Sequence, residues 1–351
     1  MSYDLYVEKP QGNIVTQIRL LVCEDNVTAA RKFVQMVHSR RDRNGNRSPS
    51  EYERFIAQEK SLYIDRLGFI PSSPDLSALP SGSWFLQFTF TLAKPWISKD
   101  DDPFYVAESV NPVRKDKVFK VPMMSAASWK GLLRWTAMHT RLHQPVIASK
   151  AKQSPEEFAQ ERFVQTLLFG DEKGEEPWET KDFAAHLDAL KPEARQEYEH
   201  LLRACYELKP DEPLPHHSGR LMFYPTFFDL IDVEVINPHL RKTRAGTHPI
   251  YLECVPQGAK GTFSLLYVPF DLLGADETEI RSQALEDLQL VAEGLQAMFL
   301  TYGFSAKRSS GYGVAEDAIV KGEIRTRAGS HDLTGKKLSQ LTQEVGNVSF
   351  K

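Results

Sequence analysis

Two stretches of this 351-residue sequence combine cations, hydroxyls and glycine at spacings suited to holding a phosphate. In the first, from Val121 to Arg134, small residues and Gly131 stand where a helix would begin. Unsatisfied backbone N–H groups and the helix dipole attract an anion at such a place. Ser125 and Ser128 add hydroxyls, Lys130 a point charge, and Arg134 a planar fork able to grip phosphate through two bonds. The competing reading is an ordinary capped helix with a solvated basic face. The second stretch is Lys307, Arg308, Ser309, Ser310, Gly311, Tyr312 and Gly313. It pairs two cations and two hydroxyls with permissive backbone, and Tyr312 could stack on a base. Its competing reading is a glycine-containing turn before an edge strand.

Carboxylates gather elsewhere. Asp100, Asp101, Asp102 and Glu108 fall in one aperiodic, proline-containing stretch between 100 and 121. Exposed carboxylate runs of this kind are most often solvated surface. Cys23, Cys205 and Cys254 stand far apart, and the pair His216 and His217 has no spaced partners, so neither a disulfide framework nor a zinc site is indicated.

The elements that must position these residues can be read from periodicity. Trp84, Leu86, Phe88, Phe90 and Leu92 alternate with largely polar neighbours, which predicts a strand with one buried face. Helices are expected over 128–143, over 156–169 with Gly170 as its stop, and over 280–302. Strands are expected over 219–232 and 261–270, joined by a loop carrying Arg241, Lys242 and Arg244. Before Trp84, a helix around Phe33 to Val37, a basic loop and another helix lead into a Pro- and Ser-rich connection. This order fits an α+β fold, ferredoxin-like (RRM-type), with an antiparallel sheet and helices on one face.

The formal net charge of −4 argues at first against binding a polyanion. Between Asp171 and Glu212, however, there are 13 acidic and 6 basic residues, a local net of −7, so the rest of the chain carries +3. Hydrophobic residues make up 41%, no apolar run reaches membrane-spanning length, and residues 1–13 lack the order of a secretory signal, so a soluble, cytoplasmic protein without membrane partners is expected.

The ordered set Asn111-Pro112-Val113, Val121-Pro122, Ser128 to Arg134, Leu168-Phe169-Gly170, Gly219-Arg220-Leu221, Val255 to Gly258 and Arg308 to Gly313 resembles the RAMP superfamily, the backbone subunits of type III CRISPR effector complexes. The similarity runs from about Trp84 to Ala315. It divides the chain into an N-terminal extension with helices and a linker (1–83), an RNA-binding domain (84–320) with an acidic insertion (171–216), and a C-terminal tail (321–351). The resemblance implies a subunit for antiviral defence that binds guide RNA (crRNA), meets target single-stranded RNA, and associates with other CRISPR-associated subunits. Ser128, Lys130, Arg134 and 307–313 would hold the guide backbone. The loop from Asn237 to Pro249 would form the family's thumb hairpin, with Arg241, Lys242 and Arg244 at a displaced backbone.

Cleaving members of that family carry an aspartate two residues before a proline. Here Val110 stands two before Pro112, and valine neither binds a cation nor moves a proton. No cofactor is needed for binding, and a divalent cation such as Mg would be needed only for cleavage. Alternatives are a pre-crRNA processing endoribonuclease, which would want a base such as His139 or His143, and a non-catalytic capping subunit at the filament end. If this chain cuts target RNA, Asp100, Asp101 and Asp102 are the carboxylates best placed to substitute. Changing all three to alanine should then remove at most one cleavage site from the assembled complex while guide and target binding persist, as read on a denaturing gel of labelled target.

Overall fold

The computed structural model describes residues 14–21, 26–41, 47–98, 110–142, 154–171, 183–237 and 249–350. Helices α1 (Ile14–Leu20) and α2 (Asn26–Val37) lead into a short hairpin of β1 (Arg40–Arg41) and β2 (Arg47–Ser48), followed by helix α3 (Glu51–Glu59). A capping box starts α3. The Ser50 hydroxyl accepts from the Glu53 amide at 3.1 Å, and the Glu53 carboxylate accepts from the Ser50 amide at 2.9 Å, which satisfies donors that a helix start leaves open. Ile18, Phe33, Val37, Tyr52 and Ile56 are buried in the same apolar cluster as the central sheet. The expected N-terminal extension therefore shares the core of the domain that follows it. Within the expected linker, Leu76 is buried with Phe85, Leu266 and Val268.

Strand β3 (Trp84–Leu92) has the predicted limits and buries all five of its alternating apolar residues. After it come β4 (Val110–Asn111), β5 (Met123–Met124), α4 (Ala126–Arg141), α5 (Pro155–Phe169), α6 (Phe183–Leu190) and α7 (Arg195–Cys205). The chain continues through β6 (Leu221–Phe223), β7 (Thr226–Phe227), β8 (Asp232–Ile236), β9 (Ile250–Cys254), β10 (Lys260–Tyr267), α8 (Glu277–Ala297), β11 (Ala315–Thr326), β12 (Gly329–Asp332) and α9 (Leu341–Val345).

The main sheet has five strands in the order β12-β11-β3-β10-β6, every neighbouring pair antiparallel. Setting insertions aside, β3-α4-β6-β10-α8-β11 is the βαββαβ succession of a ferredoxin-like fold. Its two outermost strands are short, three residues in β6 and four in β12. Helices α4 and α8 pack together over one face, where Trp129 of α4 meets Phe263 of β10 and Phe299, just beyond α8, at ring separations of 5.1 and 5.5 Å.

Three expectations need correction. The C-terminal segment 321–351 is no tail: β11 runs on to Thr326, β12 pairs with it, and Leu333, Leu338, Leu341 and Val345 are buried in the main core. Helix α4 starts two residues before Ser128, because Ser125 accepts the Ser128 amide at 3.2 Å and is the cap. The loop carrying Arg241, Lys242 and Arg244 does not join the two expected strands directly. It lies between β8 and β9, an antiparallel pair in register from Asp232↔Cys254 to Ile236↔Ile250, so β9 forms a strand within the stretch expected to be loop. The acidic insertion has a small core of its own, where Leu187 of α6 and Tyr198 and Leu202 of α7 pack against Phe158 of α5. Among the described residues no helix is long and apolar enough to cross a membrane.

A buried network ties the sheet to α8. Arg220 donates to Asp287 at 2.7 Å and to Asp271 at 3.0 Å, while Tyr267 and Gln283 donate to Asp287 at 2.7 and 2.9 Å. Burial pushes the Asp287 carboxyl up against the pull of Arg220, so removing the guanidinium would leave a carboxylate with too few donors. Arg220→Met should destabilise the protein by about 3–5 kcal/mol, measured by urea unfolding followed by circular dichroism.

Candidate nucleic-acid interface

The first phosphate-type stretch and the residues just before the second, far apart in sequence, line one cleft. Ser128 and Gly131 from the start of α4 line a cleft of about 330 Å³ together with Phe304, Ser305 and Ala306, and Ser98 closes its rim. Hydrogen bonding explains why the second stretch comes here. The Ser305 hydroxyl donates to the Ile97 carbonyl at 2.8 Å and accepts the Ile97 amide at 2.7 Å, and the Ala306 amide donates to the same carbonyl at 2.8 Å. The Trp96 indole donates to the Phe304 carbonyl at 2.9 Å, and the Gly313 amide to the Pro95 carbonyl at 2.8 Å. The glycine-containing loop is thus stitched to the segment leaving β3, which places it beside the N-terminus of α4.

Two glycines in this region behave oppositely. Gly313 has φ +69°, and a Cβ there would stand 2.3 Å from the Ser305 Cβ, so both backbone and space demand glycine. Gly131 is helical, and a Cβ there would meet nothing within 4 Å. The fold gains nothing from that glycine, which leaves open space on the cleft side of an exposed helix.

The charges divide into free and engaged groups. Lys130 and Lys307 are exposed, and Lys307 holds a left-handed φ of 59°. Partial burial, then Arg134, lower the Lys130 ammonium pKa, and Asp171 opposes them. Arg134 is half-buried and donates to the Asp171 carbonyl at 2.9 Å, so it joins the end of α5 to α4 as well as presenting charge. Arg308 opens a 3₁₀ turn with Ser309 and Ser310, and its guanidinium carbon lies 4.2 Å from the centroid of the Trp135 ring. Ser309, Ser310 and Gly311 are exposed. Tyr312 is only partly open. Its ring packs on the cluster of Ile97, Leu252 and Cys254, its hydroxyl lies 3.4 Å from Glu234, and burial followed by Glu234 raises its pKa.

The remaining sequence candidates, Asp100, Asp101, Asp102, Glu108, Arg241, Lys242 and Arg244, lie outside the described residues. What surrounds them is described. Strand β4 runs parallel to β9, with Val110 opposite Tyr251. Just beyond, the fully buried Glu253 of β9 pairs with buried Lys115 and accepts the Val113 amide at 3.1 Å. The described residues contain no group of three or more His, Cys, Asp or Glu able to hold a metal ion.

The opposite face of the sheet offers no stacking platform. Gln87, Thr89, Thr262 and Ser264 occupy it, bonded in pairs at 2.9 and 3.0 Å, and Gln87 also donates to the Pro71 carbonyl at 2.9 Å. Phe85 on that face is fully buried. Sequence reasoning missed Trp96, Ser98, Ser305 and Trp135. Each lies within a few residues of a recognised motif, but none falls in a periodic pattern that would mark it.

The RAMP superfamily profile matches residues 106–316, more than half of the chain, and the chain belongs to that superfamily. Among solved structures it is similar to a subunit in "Cryo-EM structure of the Type III-B Cmr-beta bound to cognate target RNA", at 12% identity and TM-score 0.39 over 78% of this chain and 72% of that one. It is also similar to a chain of a "CRISPR RNA-guided surveillance complex", at 13% identity and TM-score 0.38 over 69% and 68%. A chain of that complex described as "pre-nicking" is 13% identical with TM-score 0.34 over 69% and 77%. No curated protein sequence matches.

The two glycines give a stability test of the cleft geometry. Gly131→Ala should stabilise the protein by about 0.5–1 kcal/mol through helix propensity. Gly313→Ala should destabilise it by more than that, because the native φ and the Ser305 contact both oppose a methyl group. Chemical denaturation of the two variants side by side reads both signs.

Proposed function

We propose that this chain binds single-stranded guide RNA as a subunit of a type III CRISPR effector complex, with the cleft between α4 and the 303–314 loop gripping the RNA backbone. One observation carries the reading: two hydroxyl-bearing segments far apart in sequence, adjoining Lys130 in one case and Lys307 in the other, line one cleft at the N-terminus of a 16-residue helix in a RAMP-family chain. Backbone amides, hydroxyls and Lys130, Lys307 and Arg308 together offer the mixture of donors that phosphate contacts use.

The route of the RNA follows from what each surface can do. Sequence-tolerant binding of single strands needs a positive track and, for stacking, exposed rings. The sheet face opposite the helices is polar and internally bonded and presents no exposed ring among the described residues, so the backbone is held on the helix side, and the loop between β8 and β9, with Arg241, Lys242 and Arg244, would serve as the thumb toward target RNA. Other CRISPR-associated subunits and target RNA are the remaining partners in this reading. Cleavage, if it occurs here, would draw on Asp100, Asp101, Asp102 or Glu108 with a divalent cation.

Two measurements test the reading. RNA that co-purifies with the protein should, on sequencing, derive from CRISPR repeats; absence of such RNA from the assembled complex would favour a generic RNA-binding module. Lys130→Ala combined with Lys307→Ala removes two exposed cations, so the slope of log affinity against log salt should fall by about 1.4, at roughly 0.7 per phosphate contact on a single strand. An unchanged slope in a fluorescence-anisotropy titration would move the RNA away from this cleft.

A further inference from the structure

Arg308, from the loop beyond α8, rests on helix α4. Its guanidinium lies over the Trp135 indole at 4.2 Å from the ring centroid. Trp135 is itself stacked on His139 at 3.7 Å with 29° between the rings, and meets Tyr302 edge-on at 5.2 Å and 89°. The indole is thus fixed by its own helix and by the residues closing α8, and it presents a flat support to a side chain from the loop beyond.

The Nη1 atom of Arg308 is buried and has no hydrogen-bond partner among the described residues. A buried charged donor without an acceptor is unfavourable, and nearly all such groups in folded proteins have a partner. Stacking occupies the face of a guanidinium and leaves its in-plane N–H groups to a ligand, and those groups match the oxygens of a phosphate. Trp135 follows Arg134 directly in α4, so the orphaned donor is held beside the helix that carries Lys130 and Ser128.

From this geometry we infer that Trp135 is a positioning residue: it pre-orients Arg308 so that its edge meets a backbone phosphate of the bound RNA, the indole itself making no RNA contact. The inference rests on the RNA-binding reading of the cleft. Ordering the guanidinium before RNA arrives removes part of the freedom that a long side chain would otherwise lose on binding. Cation–π attraction to an indole is the strongest of its kind among side chains.

A double-mutant cycle on the full-length chain tests it, with a labelled single-stranded RNA of mixed sequence titrated at several salt concentrations. R308A should weaken binding about tenfold and lower the salt slope by about 0.7. W135L should weaken binding severalfold, W135F less because it keeps a flat ring, and W135L/R308A no further than R308A alone. Losses that multiply in the double variant, or wild-type binding by W135L beside a weakened R308A, would overturn the positioning role. If R308A itself bound like wild type, the failure would belong to the RNA reading of the loop. Thermal unfolding accompanies each variant, and if W135L does not fold, the cycle is run with W135F, where the same non-additivity is expected.

Discussion

The indole of Trp129 is fully buried, edge-on to Phe90 and Phe263, with its N–H on Thr226 at 3.0 Å. Thr226 in turn donates to the Thr262 carbonyl at 2.8 Å, so the indole is tied into the sheet as well as packed on it. A helix advances about 100° per residue, at 3.6 residues per turn. Fixing Trp129 inward therefore fixes the directions of its neighbours: Ser128 reaches the cleft, Lys130 reaches solvent, and Gly131 lies on the cleft wall. The geometry of the cleft wall follows from this one anchoring.

The parts of the fold that the sequence announced are those where burial imposes a simple period. Strand β3 shows its alternation over nine residues, and α8 its amphipathic face. Helix α5 has Ser154 as cap and Gly170 at its end, a punctuation that needs no tertiary information. What stayed hidden depends on long-range partners. Strand β9 takes its register from β8 across a loop, and β12 needs the outer edge of β11. The N-terminal helices bury modest apolar stripes that look sufficient for a separate unit until the sheet completes their core.

The candidate site divides in the same way. Cations, hydroxyls and glycines near a helix start are local features, so Ser128, Lys130 and Lys307 to Gly313 were legible. Their convergence was not, since it is made by Ser305 and Trp96, whose partners lie 208 residues away in sequence. Roles within the motif also shifted with context. Arg134 spends one N–H on the Asp171 carbonyl, and Tyr312 lies against the β8–β9 sheet, because charge and aromaticity describe what a side chain can do and only packing decides what it does. The acidic insertion shows the converse. Its Asp188 pairs at 2.7 Å with Arg162 of α5, which is 3% exposed and set over the Tyr198 ring, so part of the local charge works inside the helical cluster.

The short outer strands of the main sheet have a consequence for self-association. An exposed edge is a template for adding a foreign strand, and long flat edges invite aggregation. Three residues of β6 and four of β12 provide room for only a few such bonds. Edge-to-edge growth at the ends of this sheet is thereby limited. Contacts along these two edges would rest on side chains more than on backbone hydrogen bonds.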